Sequence, residues 1–413
     1  MLHGNQFWEC SVIVLAKNWF PNGTIEKRNR KMSDFTFRIS PNIVLGSYTT
    51  TRLGSFASEY GSKYILVADP ILKESGNLEK ITQSLKDNNV EFFIFDDLSK
   101  SVDSQVLSRA LALSKESHIH GVIGAGGGKT LSLARMLAAV FNNESQDLYS
   151  VFDSCESKSE PLPLIALPTT MREAFVFTDK VPIVDARTSK LKIIKVPSSL
   201  SKLVIFDPNI VSTLSDNQLE SMTIETLCLA TESYISQKAN FFSDMIAEKA
   251  IELLSLANAE EDSSVTTPKE ELVVQGGCMA SLAVALTSLG TASLLSLCVN
   301  PKQKISRSLV TSVLFPYVIE DCSKYKVAKL AKIARILKTC ADDASDEDAA
   351  QSFATYVRQR IAKANLPARL KDLGLTIEQM ALASEDAAKL DFINTLPRSM
   401  TSDDLFALIK TAY

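Results

Sequence analysis

The feature that constrains this chain most is a change of hydrophobic period about halfway along it. From about Phe35, short apolar runs alternate with amphipathic stretches, and the runs predict strands over Asn42–Gly46, Tyr64–Ala68, Glu91–Phe95, Gly121–Gly124, Pro163–Pro168 and Leu203–Phe206. Helical periods over Asn77–Asn88, Asp103–Ser117 and Thr130–Asn142 lie between them. Strands alternating with helices of that length indicate βαβ units and a mainly parallel, Rossmann-like sheet. After Asp207-Pro208 the strand signals stop. Helical periods then run on through Ser215–Gln237, Phe242–Ala257, Ser323–Cys340 and Glu347–Ala364, to a last helix Leu405–Tyr413 capped by Ser402-Asp403-Asp404. The expected organisation is an α/β domain of nucleotide-binding type over 32–208 and an all-helical domain over 209–413. Residues 1–31 read as a disordered or extraneous extension, because Met32-Ser-Asp-Phe-Thr-Phe has the look of a natural start.

Composition bears on function by exclusion. With 44 Lys+Arg against 48 Asp+Glu in 413 residues and no basic run, nothing points to nucleic acid. The most apolar stretch, Val273–Val299, is interrupted by Gln275, Ser281, Thr287 and Ser296, so it reads as buried bundle helices and not as a membrane span. The seven cysteines are scattered without a C-x-x-C pair, which fits a reducing, cytoplasmic setting. The expected partner is a small-molecule substrate, and a homodimer is left open.

One motif carries chemistry by itself. Gly124-Ala-Gly126-Gly127-Gly128-Lys129-Thr130 follows a strand and opens a helix. Glycines there let backbone approach a phosphate, and the helix N-terminus offers amide donors and a favourable dipole. A tight strand-to-helix turn is the plainer alternative. Lys129 is either a phosphate contact or a solvent-facing lysine at a helix start.

In order along the chain, this glycine loop, Pro168-Thr169-Thr170 after the next strand and Phe206-Asp207-Pro208 resemble the iron-containing alcohol dehydrogenases, within the dehydroquinate synthase-like superfamily. Gly126–Arg135 is most similar to the form found in maleylacetate reductases, with Ser132 where an aspartate is usual, and the motif order also resembles glycerol dehydrogenases. Leu366–Gly374 and Asn394–Arg398 resemble later family motifs, so the likeness runs from about Phe35 to Tyr413. It implies an active site in a cleft between the two domains, with NAD(H) a candidate cofactor held by Gly126, Gly127, Gly128, Lys129, Thr130, Thr169 and Thr170. Asp97 stands where a glycine is usual beside the adenosine ribose; it is either a ribose ligand or a surface-turn residue.

The resemblance also implies an iron or zinc ion held by one Asp and three His. The corresponding positions here are Glu225, Leu229, Ser293 and Arg307, and the only histidines are His3, His118 and His120. No iron or zinc is therefore expected. After Pro168-Thr169-Thr170, the bulky and charged Met171-Arg172-Glu173-Ala174-Phe175 replace small residues. Glu225, Arg307, Arg172 and Glu173 are the polar candidates for catalysis, with an Arg307–Glu225 ion pair as the plain structural alternative. The preferred reading is a repurposed, metal-independent and non-redox enzyme of isomerase, cyclase or lyase type. A metal-independent NAD(H) reductase comes second, and a catalytically inactive pseudoenzyme third.

Overall fold

The computed structural model describes residues 40–98, 102–143, 147–211, 215–258, 266–303 and 305–413, so the extension read over 1–31 lies outside the described residues. The strands are β1 (Asn42–Leu45), β2 (Lys63–Ala68), β3 (Glu91–Phe95), β4 (Gly121–Gly126), β5 (Leu164–Pro168), β6 (Lys180–Asp185), β7 (Lys190–Lys195) and β8 (Ser201–Phe206). The longer helices are α1 (Asn77–Asp87), α2 (Ser104–Glu116), α3 (Gly128–Val140), α4 (Asp216–Ile235), α5 (Phe241–Asn258), α6 (Lys269–Leu286), α7 (Thr291–Gln303), α8 (Arg307–Ile336), α9 (Asp346–Lys363), α10 (Ile377–Ala388) and α11 (Ser402–Ala412).

Six strands form a parallel sheet in the order β1-β8-β5-β4-β2-β3, as the alternating pattern predicts. Every residue of β4 and β5 is buried, because helices cover both faces of such a sheet. The chain moves outward from β2 to β3, then returns to place β4 on the other side of β2. That reversal opens a crevice at the carboxyl ends of β2 and β4, the usual ligand position in an open α/β sheet. Beyond Phe206 all the described regular structure is helical. One apolar core joins the two parts, from Ala166, Val204 and Phe206 of the sheet to Phe315, Phe353 and Leu405 of the helices.

Three sequence expectations need correction. An antiparallel hairpin, β6 paired with β7, was not foreseen; its strands carry Lys at four of twelve positions, which masks the alternation. The Ser323–Cys340 period is only the second half of α8, which runs through Pro316, a residue that usually ends a helix, and kinks at Lys326. The last helix is capped by Thr401, whose side chain accepts from the Asp404 amide, so Ser402 is its first helical residue. Asp207 of the Phe-Asp-Pro motif is structural: its carboxylate accepts from the amides of Tyr48, Thr50 and Asn209 at 2.9–3.1 Å. Among the described residues no single helix is long and apolar enough to cross a membrane; the bent pair Lys269–Leu286 and Thr291–Pro301 passes that test only jointly, and its residues are mostly buried in the bundle.

The segment after β5 is fixed from both sides. Arg135 of α3, only 2% exposed, donates to the carbonyls of Phe175, Thr178 and Lys180 at 2.5–2.9 Å. On the opposite side the Met171 carbonyl lies against Gly277 of α6, so closely that a β-carbon at 277 would collide with it. Gly277→Ala should therefore push this segment off α6 and destabilise the fold by about 1–3 kcal/mol, the usual cost of overpacking. A lowered thermal midpoint is the expected result.

Candidate functional site

The crevice at the sheet's switch point is built from three strand ends. β4 runs directly into α3 through Gly127, which caps the helix in an extended conformation without a side-chain acceptor. The first amides of α3 therefore have no side-chain cap of their own. Gly126 packs on Thr130, and a β-carbon there would meet that side chain at 2.6 Å. Over Gly127 there is room: a β-carbon would find only Thr170 Cγ2, at 3.9 Å. Lys129 is exposed, whereas Thr130 turns inward and donates to Asp69 Oδ2 at 3.4 Å. At the end of β5, the Thr169 amide donates to the Gly126 carbonyl and the Thr170 hydroxyl donates to the Arg172 carbonyl. Both threonines thus hold the segment in shape.

Asp97 is far less central. It follows the edge strand β3, is exposed, and pairs with Arg109 at 2.9 Å, so the surface-turn reading describes its surroundings. The carboxylate that does stand at the switch point is Asp69, at the end of β2, whose amide donates to the Ala125 carbonyl at 2.8 Å. Its signal in the sequence was its place directly after the Tyr64–Ala68 run.

The four polar candidates form two ion pairs, and neither is the Arg307–Glu225 pair that stood as the structural alternative. Arg172 donates to Glu225, with both side chains 6% exposed. Arg307 lies 3.9 Å from Glu173. The reason is positional. Arg172 sits on the segment held by Arg135 and Gly277 and enters the helical core from the sheet side. Arg307 is the first residue of α8, at the wall of the cleft.

Leu229 is buried one turn from Glu225, and Ser293 is buried on α7 with its side chain beside the Glu232 carboxyl. These groups do not suit a divalent ion: the one carboxylate among them is already bound to a guanidinium, and leucine offers no donor. No cluster of three His, Cys, Asp or Glu among the described residues could hold one either. His118 and His120 precede β4, at the end of the sheet opposite the crevice, a six-residue strand away or about 20 Å.

Sequence reasoning passed over Glu232, two turns from Glu225 on the same helix. It is 1% exposed, and its Oε1 accepts from the amides of Ala292 and Ser293 at the start of α7. Burial pushes its carboxyl up to about 7, against the opposing pull of those donors. Burial, with Glu232 and Glu225 nearby, also raises the Cys228 thiol well above its ordinary value, so it is a poor nucleophile.

A cavity of about 450 Å³ opens beside the N-terminus of α3. Lys129, Ser132, Asn300 and Arg307 supply polar wall, and Ile183 and Leu191 of the unforeseen hairpin supply apolar wall with Leu297. Of the four catalytic candidates only Arg307 lines it; Arg172, Glu173 and Glu225 lie behind the surface.

The sequence matches the family described as iron-containing alcohol dehydrogenase over residues 40–208 and the C-terminal part of the same family over residues 221–413. The probable alcohol dehydrogenase EutG of Escherichia coli (strain K12) is 25% identical over 91% of this chain and 94% of its own length. Alcohol dehydrogenase 4 of Saccharomyces cerevisiae is 26% identical over 85% of this chain and 91% of its own length. The lactaldehyde reductase of Escherichia coli (strain K12) is 22% identical over 85% of this chain and 92% of its own. Among solved structures, 1,3-propanediol oxidoreductase is similar with a TM-score of 0.84 at 21% identity, over 92% of this chain and all (100%) of that one.

Two outcomes follow from this geometry. Arg172→Met strands the Glu225 carboxylate and should cost about 3–5 kcal/mol, much of it recovered when Glu225→Leu is added; denaturant unfolding of the double-mutant cycle measures this. For Glu232, the folded pKa of about 7 lies above the ordinary 4.5, so the protonated acid favours the folded state. That contribution is complete below about 4.5 and is lost as pH rises through about 7. Relative to Glu232→Gln, the unsubstituted protein should lose about 3 kcal/mol of unfolding free energy across that window.

Proposed function

Because the chain belongs to the iron-containing alcohol dehydrogenase family, yet sets a guanidinium against Glu225 where the resemblance puts a metal ion, we propose that it is an enzyme that transforms a small molecule in this cleft without a metal and without net redox. The Arg172–Glu225 pair is the observation that carries the reading: with its charge already neutralised, Glu225 has little to offer a cation. The class of reaction that fits is isomerisation, cyclisation or elimination, driven by orientation in a shaped pocket and by electrostatic stabilisation.

Arg307 takes the central role. Its guanidinium is 20% exposed, lines the cavity and is steered by Glu173 from behind, so it can bind an oxygen on which negative charge develops. Lys129 and Asp103 line the same cavity, and Lys129, beside the start of α3, is the candidate for moving a proton. The apolar wall of Ile183, Leu191 and Leu297 holds the substrate's carbon skeleton and excludes water. Glu173 is a positioning residue, while Arg172 and Glu225 hold the wall's shape.

A second reading, a metal-independent NAD(H)-dependent reductase, draws support from the space over Gly127 and from relatives named as dehydrogenases and reductases. Bound NAD(H) would supply a hydride; the chain would supply the uncapped start of α3 and the cleft wall. Purified protein should carry far less than one iron or zinc per chain by elemental analysis. Screening carbonyl- and carboxylate-bearing small molecules by mass spectrometry should find a product isomeric with its substrate, or one small leaving group lighter, formed without NADH. Arg307→Met should cut that turnover at least about 100-fold, the scale of losing one oxyanion donor; because it also strands the buried Glu173 carboxylate, melting is followed beside Arg307→Met/Glu173→Gln, and lost turnover in folded protein is the expected result. One metal per chain that disappears in Glu225→Gln, or turnover that consumes NADH, would overturn the proposal.

A further inference from the structure

We propose that Glu173 is a tethered anion that occupies the phosphate seat at the start of α3 and bars dinucleotides from the cleft. This deepens the metal-free, non-redox reading and rests on it for the identity of the cleft.

The seat is defined by backbone alone. α3 begins at the switch point of the sheet, Gly127 caps it without a side-chain acceptor, and its first amides and the positive end of its dipole favour an anion. The anion present is the chain's own. Glu173 Oε2 lies only 2.5 Å from where a β-carbon on Gly128, the first residue of α3, would stand. Only glycine at 128 leaves room for that carboxylate. Glu173 is 2% exposed and its Oε2 has no hydrogen-bond partner, so the carboxylate stands against the helix start without bonding its amides and is held there by its surroundings.

Those surroundings do not let it swing away readily. Glu173 Oε1 accepts from the Phe175 amide at 3.1 Å, and the Glu173 amide donates to Ser281 Oγ of α6 at 3.0 Å. The segment is pinned by Arg135 on one side and by the Met171–Gly277 contact on the other. Arg307, at 3.9 Å, supplies the nearby positive charge that makes a buried carboxylate tolerable. A pyrophosphate brought to the first amides of α3 would come up against this carboxylate beside Gly128, and would meet like charge on a group that is 2% exposed. The room over Gly127 then serves a smaller ligand.

The test uses the full chain and two probes: NADH, followed by its fluorescence, and inorganic pyrophosphate, followed by calorimetry. Three proteins are compared: unsubstituted, Glu173→Gln, which keeps volume and removes charge, and Glu173→Ala, which removes both. The unsubstituted protein should show no saturation with either probe at millimolar concentration. Glu173→Gln should bind at least about tenfold more tightly and Glu173→Ala more tightly again, because Arg307 is then free to face the added phosphate. Should Glu173→Ala fail to fold, judged by circular dichroism, the glutamine variant carries the test alone. Micromolar NADH binding by the unsubstituted protein overturns the inference, as does a folded Glu173→Gln protein with no gain for either probe. The second outcome leaves the Arg307→Met turnover experiment untouched. NADH that is both bound and consumed by the unsubstituted protein removes the non-redox reading as well.

Discussion

The segment from Thr169 to Thr178 brings Arg172 and Glu173 to the edge of the cleft, and Arg135 is what holds it there. A guanidinium at 2% exposure is costly to bury. Burial pulls its pKa down to about 10, and the carboxylates of Glu173 and Asp179 oppose that shift. What offsets the cost is donation to three backbone carbonyls, those of Phe175, Thr178 and Lys180. The same residue thus satisfies the loop's polar groups and fixes which way its two charged side chains point. The Met171–Gly277 contact closes the other side, so the geometry of the cleft follows from backbone placement and not from flexible surface residues.

From that placement the two ion pairs follow. Arg172 projects into the helical core and meets Glu225; Glu173, the next residue, projects the other way, toward α3 and Arg307. A divalent ion and a guanidinium both neutralise a carboxylate, but they differ as catalysts. The ion can take a substrate oxygen into its coordination shell and polarise it. A buried guanidinium paired with a glutamate has no shell into which a substrate oxygen can enter, and what it contributes is shape and a fixed local field. In the proposed reading the electrostatic role moves from the core of the helical region to its rim, where Arg307 is only partly committed to Glu173.

The sequence carried the fold well because its signals are periodic and summed over many residues. β3 was placed without error and the other five strands of the parallel sheet to within two residues at each end, since buried parallel strands read as apolar runs with clear breaks. The hairpin escaped because Lys180, Lys190, Lys192 and Lys195 interrupt its apolar face. The site was legible in part. The glycine loop, read from its likeness to a family pattern, lies at the switch point of the sheet, and Arg172, Glu173, Glu225 and Arg307, read from departures from that pattern, come together in two ion pairs. Which of them pair could not be read, because pairing depends on the direction in which a loop leaves a strand. Asp69 was missed for a related reason: adjacency to the glycine loop is set by sheet order, with β4 beside β2, and sequence separation does not reveal it. Glu232 was hidden by an ordinary helical context, and only its position against the start of α7 makes it a buried acid of raised pKa.

Helix α3 ends its dipole in the cleft whatever ligand is present, because the sheet and the glycine turn put it there. Glu225 likewise lies in the core because α4 does. Each of these charges has to be met by something, a ligand or a side chain, since an uncompensated field in a low-dielectric interior is the costly alternative. Here neighbouring residues of one segment stand against both, Glu173 beside the helix start and Arg172 on the carboxylate. α7 shows the same solution a third time, with Glu232 accepting from its first amides. Placing two opposite charges side by side on a pinned loop satisfies both demands without moving the backbone. It also explains why the replacements are bulky where the resemblance implies small residues: the side chains have to span the distance that a bound ion or phosphate would cover. In the proposed reading Met171–Phe175 is the part of the chain that sets the chemistry of the cleft, and the rest of the scaffold has only to stay where it is.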